Sequence, residues 1–173
     1  YNSSTTEIGY DVAELFDTID TVEVGDVLVA STDNKLKASD KPYQETILGV
    51  VSGSPAILFE GSTLEIAPTP GGFTEGTKPP VALAGRVPVK VTMENGSIKA
   101  GDYITSSSKP GYAMKAIKSG MVIGIALEDL NEEGKVMTFI NPHYRVNPEE
   151  FLELKERVRG IEEALLSMKR DKE

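Results

Sequence analysis

Chemistry in this 173-residue chain has few residues to draw on. Asp11 and Glu14 stand three apart ahead of Leu15-Phe16. On a helical turn two such carboxylates share one face and a proton, one acting as acid and the other as base if burial separates their pKa values. The same Asp-x-x-Glu is equally a helix N-cap with a reciprocal acid, and the residues leave both readings open. Ser106-Ser107-Ser108-Lys109 holds the elements of a Ser-Lys nucleophile. An exposed lysine near its normal pKa is no base, however, and the Pro110-Gly111 that follows reads as a turn. His143, the single histidine, lies between Pro142 and Tyr144 and reads as a surface or packed linker residue.

Composition removes other chemistries. The chain has no Cys, which excludes disulfides, thiolate nucleophiles and cysteine metal sites, and one His cannot build a His-rich site. No phosphate-binding glycine loop, dinucleotide-binding motif or carboxylate metal loop is present, so no metal and no cofactor is expected. With 18 Lys+Arg against 27 Asp+Glu the net charge is −9, which opposes binding to nucleic acid or anionic lipid. At 39% hydrophobic and 26% charged the chain can bury a modest core. Its apolar runs fall far short of the roughly 20 residues that cross a bilayer, so no membrane span is expected. Residues 1–10 lack the basic flank and apolar block of a secretory signal.

The elements that must position these residues are strands up to residue 146. Short β-branched runs alternate with turn residues: Val27–Ala30, Leu36, Thr46–Val51, Ala56–Phe59, Leu64–Ile66, Val81–Leu83, Arg86–Thr92, Tyr103–Thr105, Tyr112–Met114, Val122–Leu127 and Lys135–Ile140. In Arg86–Thr92 the valines at 87, 89 and 91 alternate with other residues as one buried face requires. Asn95-Gly96 predicts a hairpin turn, and the stretch Ala67–Pro80, rich in Pro and Gly, predicts a surface loop or arm. Gly25-Asp26 recurs at Gly101-Asp102, 76 residues on, and Gly49 recurs at Gly124, 75 on. Matching offsets point to an internal duplication; the competing reading is chance, since Gly-Asp turns are common. The expectation is an all-β domain over 1–146, internally duplicated and β-barrel or β-clip-like, followed by a C-terminal coiled-coil helix over 147–173.

That helix opens with Asn147 as N-cap, Pro148 at the first helical position and Glu149-Glu150 in the first turn. Phe151, Leu154, Val158, Ile161, Leu165 and Met168 then recur at alternating spacings of 3 and 4, an a/d heptad seam that predicts an oligomer interface. With Phe151 at a, the g-to-e pairs Glu150–Lys155 and Arg157–Glu162 carry opposite charge, which suits a parallel coiled coil. The competing reading lays an amphipathic helix on its own β domain, with Leu152 and Leu166 broadening the apolar stripe. Fewer than three heptads, interrupted by Gly160, cannot hold chains together alone, so the β domain must associate too. Ile161 at d favours three strands over two.

The run Tyr10-Asp11-Val12-Ala13-Glu14-Leu15-Phe16, then Gly25-Asp26-Val27, the Gly49-Val50-Val51-Ser52 strand end and Pro55 resemble a known phage family. It is the C-terminal intramolecular-chaperone, autoproteolytic domain of bacteriophage neck-appendage and tail-spike proteins. Leu15 stands where that pattern has an aromatic residue. The second half, around Val81–Leu127, resembles phage and bacterial fibre-end domains more generally. The resemblance implies a homotrimer at the end of a tail fibre or appendage, bringing chains into register for an upstream fibre segment of the same polypeptide. It places the chain in the virion, made in the host cytoplasm. It also implies a possible self-cleavage of the Tyr10–Asp11 bond by Asp11 with Glu14. Because capping is the commoner use of such a pair, the chain is expected to stay intact. A third function, binding a receptor or glycan at a fibre tip, would use the 67–80 loop with Tyr43 or Tyr112.

Overall fold

The β-branched runs pair into a single mixed sheet in a computed structural model that describes residues 9–66 and 78–170. Its strands are β1 (Tyr10–Leu15), β2 (Val27–Ala30), β3 (Leu36–Ala38), β4 (Ile47–Val51), β5 (Ile57–Glu60) and β6 (Thr63–Ile66). They continue as β7 (Pro80–Val91), β8 (Tyr103–Ser106), β9 (Ala113–Lys115), β10 (Gly120–Ala126) and β11 (Gly134–Arg145), and helix α1 (Pro148–Arg170) follows. The all-β class with a C-terminal helix is as expected, and the sheet is not a clean barrel.

The pairing is duplicated. In the first repeat β2 pairs with β3 and β4, β4 pairs with the start of β7, and β7 pairs with β1. In the second, β8 pairs with β9 and β10, β10 pairs with β11, and β11 pairs with the end of β7. Both circuits close through one parallel contact, Thr18 with Leu36 and Val91 with Ala113. β7 is thus the last strand of one repeat and the first of the next. Within it Val87, Val89 and Val91 are buried, at the alternation expected of one core-facing side.

The repeated Gly-Asp turn is the same device twice. Gly25 and Gly101 have φ of 97° and 93°. Their N–H groups donate to Val51 O and Ala126 O at 2.9 and 2.8 Å. Asp26 and Asp102 each accept the N–H three residues earlier at 2.8 Å. Gly49 and Gly124 occupy equivalent crowded positions, where a Cβ would lie 2.3 Å from Ala82 O and 1.9 Å from Phe139 O. Val27, Val29 and Val50 of the first repeat share one core with Ile104, Ile123 and Val136 of the second. Each such burial contributes roughly 1.5–3 kcal/mol.

Two local expectations are corrected, and a third falls mostly outside the described residues. Residues 10–15 form no helical turn or N-cap; they are strand β1, hydrogen-bonded to β7 on one side and β5 on the other. A segment this short has no stable helix of its own, and two ladders satisfy its backbone instead. Asn95-Gly96 makes a turn, with Gly96 at φ 85° and its N–H on Met93 O. It is not a hairpin, because β7 and β8 do not pair; Asp33 and Asn34, at φ 56° and 57°, make the hairpin turn between β2 and β3. Most of the expected Ala67–Pro80 loop lies outside the described residues, and Pro80 already belongs to β7.

Candidate functional site

β1 alternates between two environments. Asp11 and Ala13 are buried, at 3% and 0% exposure, while Tyr10, Val12 and Glu14 turn the other way. In a strand, residues three apart lie on opposite faces, so Asp11 and Glu14 do not face each other. Across the ladders Glu14 stands opposite Phe59 and Val81, and Asp11 stands opposite Gly85. Burial pushes the Asp11 carboxyl up to about 6, against lowering hydrogen bonds from the Ser52 hydroxyl and the Asp11 backbone. Its Oδ2 has no hydrogen-bond partner. Gly85, at φ 107°, lets β7 close on the Tyr10–Asp11 peptide; a Cβ there would lie 2.3 Å from Tyr10 O. Neither the burial of Asp11 nor the role of Gly85 is visible in the sequence, because both come from a ladder between residues far apart in the chain.

The minor candidates are occupied structurally. Ser106 Oγ donates to Lys41 O and accepts from Gln44 N, and Ser107 Oγ lies 2.9 Å from Tyr112 O. Lys109 pairs with Glu133, which raises its pKa, the wrong direction for a base. His143 lies in β11 and not in a linker; its Nδ1 is 2.6 Å from Asn141 O and its ring meets Tyr103 edge-on. Among the described residues no group of acids and histidine is arranged to hold a metal. Lys90 and Lys109 ammonium groups lie 4.7 and 3.8 Å from the Tyr112 ring centroid. Lys118 lies 4.8 Å from that of Tyr43. These rings already carry cations where a sugar would stack.

Among the described residues the helix is hydrogen-bonded to the body at its root. Asn147 Oδ1 caps Glu149 N–H at 3.0 Å. Glu150 would reach back to the Asn147 N–H in a direct capping box. Ser119 enters that box instead: Asn147 N donates to Ser119 Oγ at 2.8 Å, and Ser119 N donates to the Glu150 carboxylate at 2.7 Å. The Ser119 hydrogen bonds hold Glu150 below its usual pKa, with Lys118 and Arg145 nearby. Tyr43, from the first repeat, fixes the same loop by accepting from Ile117 N and Lys118 N. Beyond this root no residue of α1 is buried, and Phe151, Leu154, Val158, Ile161, Leu165 and Met168 are 46–61% exposed. The reading that lays the helix on its own β domain is therefore overturned.

The fold is similar to that of a bacteriophage protein of known structure. The crystal structure of the C-terminal fragment of bacteriophage phi29 gene product 12 matches with a TM-score of 0.52 at 17% identity, over 76% of this chain and all of that fragment. The pre-mature form of phi29 gene product 12 matches with a TM-score of 0.51 at 16% identity, over 80% of this chain and 23% of that longer one. The likeness at these identities is one of fold. No family model and no curated protein matches the chain.

Proposed function

We propose that this chain is a trimeric assembly and registration module at the end of a viral fibre or appendage, with residues 1–146 as its β body and 147–173 as its coiled-coil strand. One observation carries the reading: an a/d seam stands exposed to solvent on a helix capped by its own body. Six large apolar residues in one solvent-facing stripe are costly for a single chain, and partner helices of the same sequence bury them knob into hole. The likeness to a bacteriophage protein supports the setting, namely a virion component joined to an upstream fibre segment. Physically, joining sister chains at one end replaces bulk with effective concentration for every later contact, which makes registration local.

Sedimentation velocity of the full chain against a truncation ending at Asn147 tests this. A trimer that dissociates on truncation is expected; a monomeric full chain overturns the reading. Self-cleavage is the second reading, favoured by a buried carboxyl of raised pKa beside the Tyr10–Asp11 peptide. Glu14 is placed away from Asp11, and we take the chain to remain intact. Mass spectrometry after long incubation checks this, since a product lacking the first ten residues, abolished by Glu14→Gln, would establish the peptidase.

A further inference from the structure

The duplication supplies an internal comparison. Between its fourth and fifth strands the second repeat has only the connection 127–133, whereas the first carries the β5–β6 hairpin. Closing a repeat therefore does not require the hairpin. Registered pairs Ile57–Ile66 and Phe59–Leu64 put four apolar side chains on one of its faces, and Leu58–Glu65 and Glu60–Thr63 occupy the other. The apolar face is open to solvent, with Ile66 77%, Leu64 53% and Phe59 40% exposed.

That face continues across the sheet. Val12 and Glu14 stand opposite Ile57 and Phe59, and the row Tyr10, Arg86, Phe139, Ile125 crosses β1, β7, β11 and β10. Tyr10 is 67% and Phe139 46% exposed, and the Arg86 guanidinium lies 4.1 Å over the Tyr10 ring. Glu14 and Arg86 are the charges in these rows, and neither has an ion-pair partner among the described residues.

We infer that this face, from Ile66 through Tyr10 to Phe139, is where the β body of a second copy of the chain docks. The inference rests on the self-association proposed above. Each copy carries −9, so sister bodies must meet through a surface of low charge. Among the described residues the rows of this face bear one acid and one base, and Glu14 of one copy can neutralise Arg86 of the next. The helix seam is too short to hold copies alone, so a second contact is required. The two surfaces also adjoin: the chain runs from Phe139 in β11 past exposed Tyr144 and Val146 into α1, where Phe151 is the first seam residue.

The test compares the full chain with the seam variant Leu154→Asp and the face variant Phe139→Lys/Ile66→Lys by sedimentation, with circular dichroism confirming that each folds. The face variant is expected to weaken association by roughly tenfold or more, the size of a buried hot spot. Single cysteines in this cysteine-free chain give an independent readout. In the assembled protein Phe139→Cys and Ile66→Cys should react with a maleimide roughly tenfold more slowly than Glu65→Cys, on the far side of the hairpin. A face variant that associates like wild type, or face cysteines that react as fast as Glu65→Cys, overturns the inference while leaving helix-driven assembly intact. A monomeric wild-type chain removes both.

Discussion

Replacing Asp11 by asparagine should stabilise the protein at neutral pH and flatten its pH dependence. The Asp11 carboxyl is 3% exposed, leaves Oδ2 without a partner, and is pushed by burial from an ordinary 3.8 up to about 6. Raising an acid's pKa on folding means the fold prefers the protonated form. The favourable contribution is complete below the unfolded value of 3.8 and is lost as pH rises through about 6. At about 1.4 kcal/mol per tenfold change in proton affinity, ionised Asp11 costs the fold roughly 3 kcal/mol at neutral pH. An asparagine side chain has no charge to desolvate but leaves an amide short of a partner, which costs about 1–2 kcal/mol. The expected net gain near pH 7.5 is therefore about 1–2 kcal/mol. Asp40, Asp129 and Glu150 are held below their ordinary values by Lys37, the Ala100 N–H and Ser119 respectively. Their stabilisation is present above the ordinary carboxylate range and is lost as pH falls through it, so any change they make runs opposite to that of Asp11. Urea unfolding at one fixed protein concentration, from about pH 4.5 to about 7.5, reads the effect while holding association constant. A wild-type midpoint that stays level or climbs with pH, or an Asp11→Asn variant that declines as steeply as wild type, refutes the reasoning.

Two further predictions compare paired positions within the chain. Gly124→Ala places a Cβ 1.9 Å from Phe139 O and should cost about 3 kcal/mol in thermal unfolding, whereas Gly96→Ala, with open space at φ 85°, should cost about 1. Lys90 meets Asp26 at 2.7 Å with side chains 13% and 9% exposed, while Lys115 meets Asp102 at 2.7 Å with side chains 29% and 23% exposed. Both aspartates accept one turn N–H, and although Lys90 keeps Glu23 at 3.2 Å as a second partner, the pair with Asp26 is the more buried: Asp26→Ala should cost about 3 kcal/mol and Asp102→Ala about 1 in denaturant unfolding.

The patterns legible in the sequence are those set by local physics. Alternating Val87, Val89 and Val91 announce a strand with one buried side, because the side-chain period of a strand is two. Gly25-Asp26 and Gly101-Asp102 announce equivalent turns, because each needs a positive φ followed by a carboxylate that takes the turn N–H. Asn147-Pro148 and the seam from Phe151 to Met168 announce a capped helix with an apolar stripe, since capping and periodicity act within a few residues.

Tertiary structure decided what depends on distant partners. Asp-x-x-Glu at 11–14 carries a helix-start pattern, yet ladders to β7 and β5 make it a strand and turn its carboxylates apart. Burial of Asp11, and the glycine at 85 that allows it, arise from a register with residues far along the chain. Ser119 divides the capping box only because β10 begins where β11 ends, and β7 serves both repeats only because each circuit closes on it. Local propensities are worth tenths of a kcal/mol per residue, whereas burial and backbone pairing across the sheet are worth several times that, so the longer-range terms prevail wherever the two conflict.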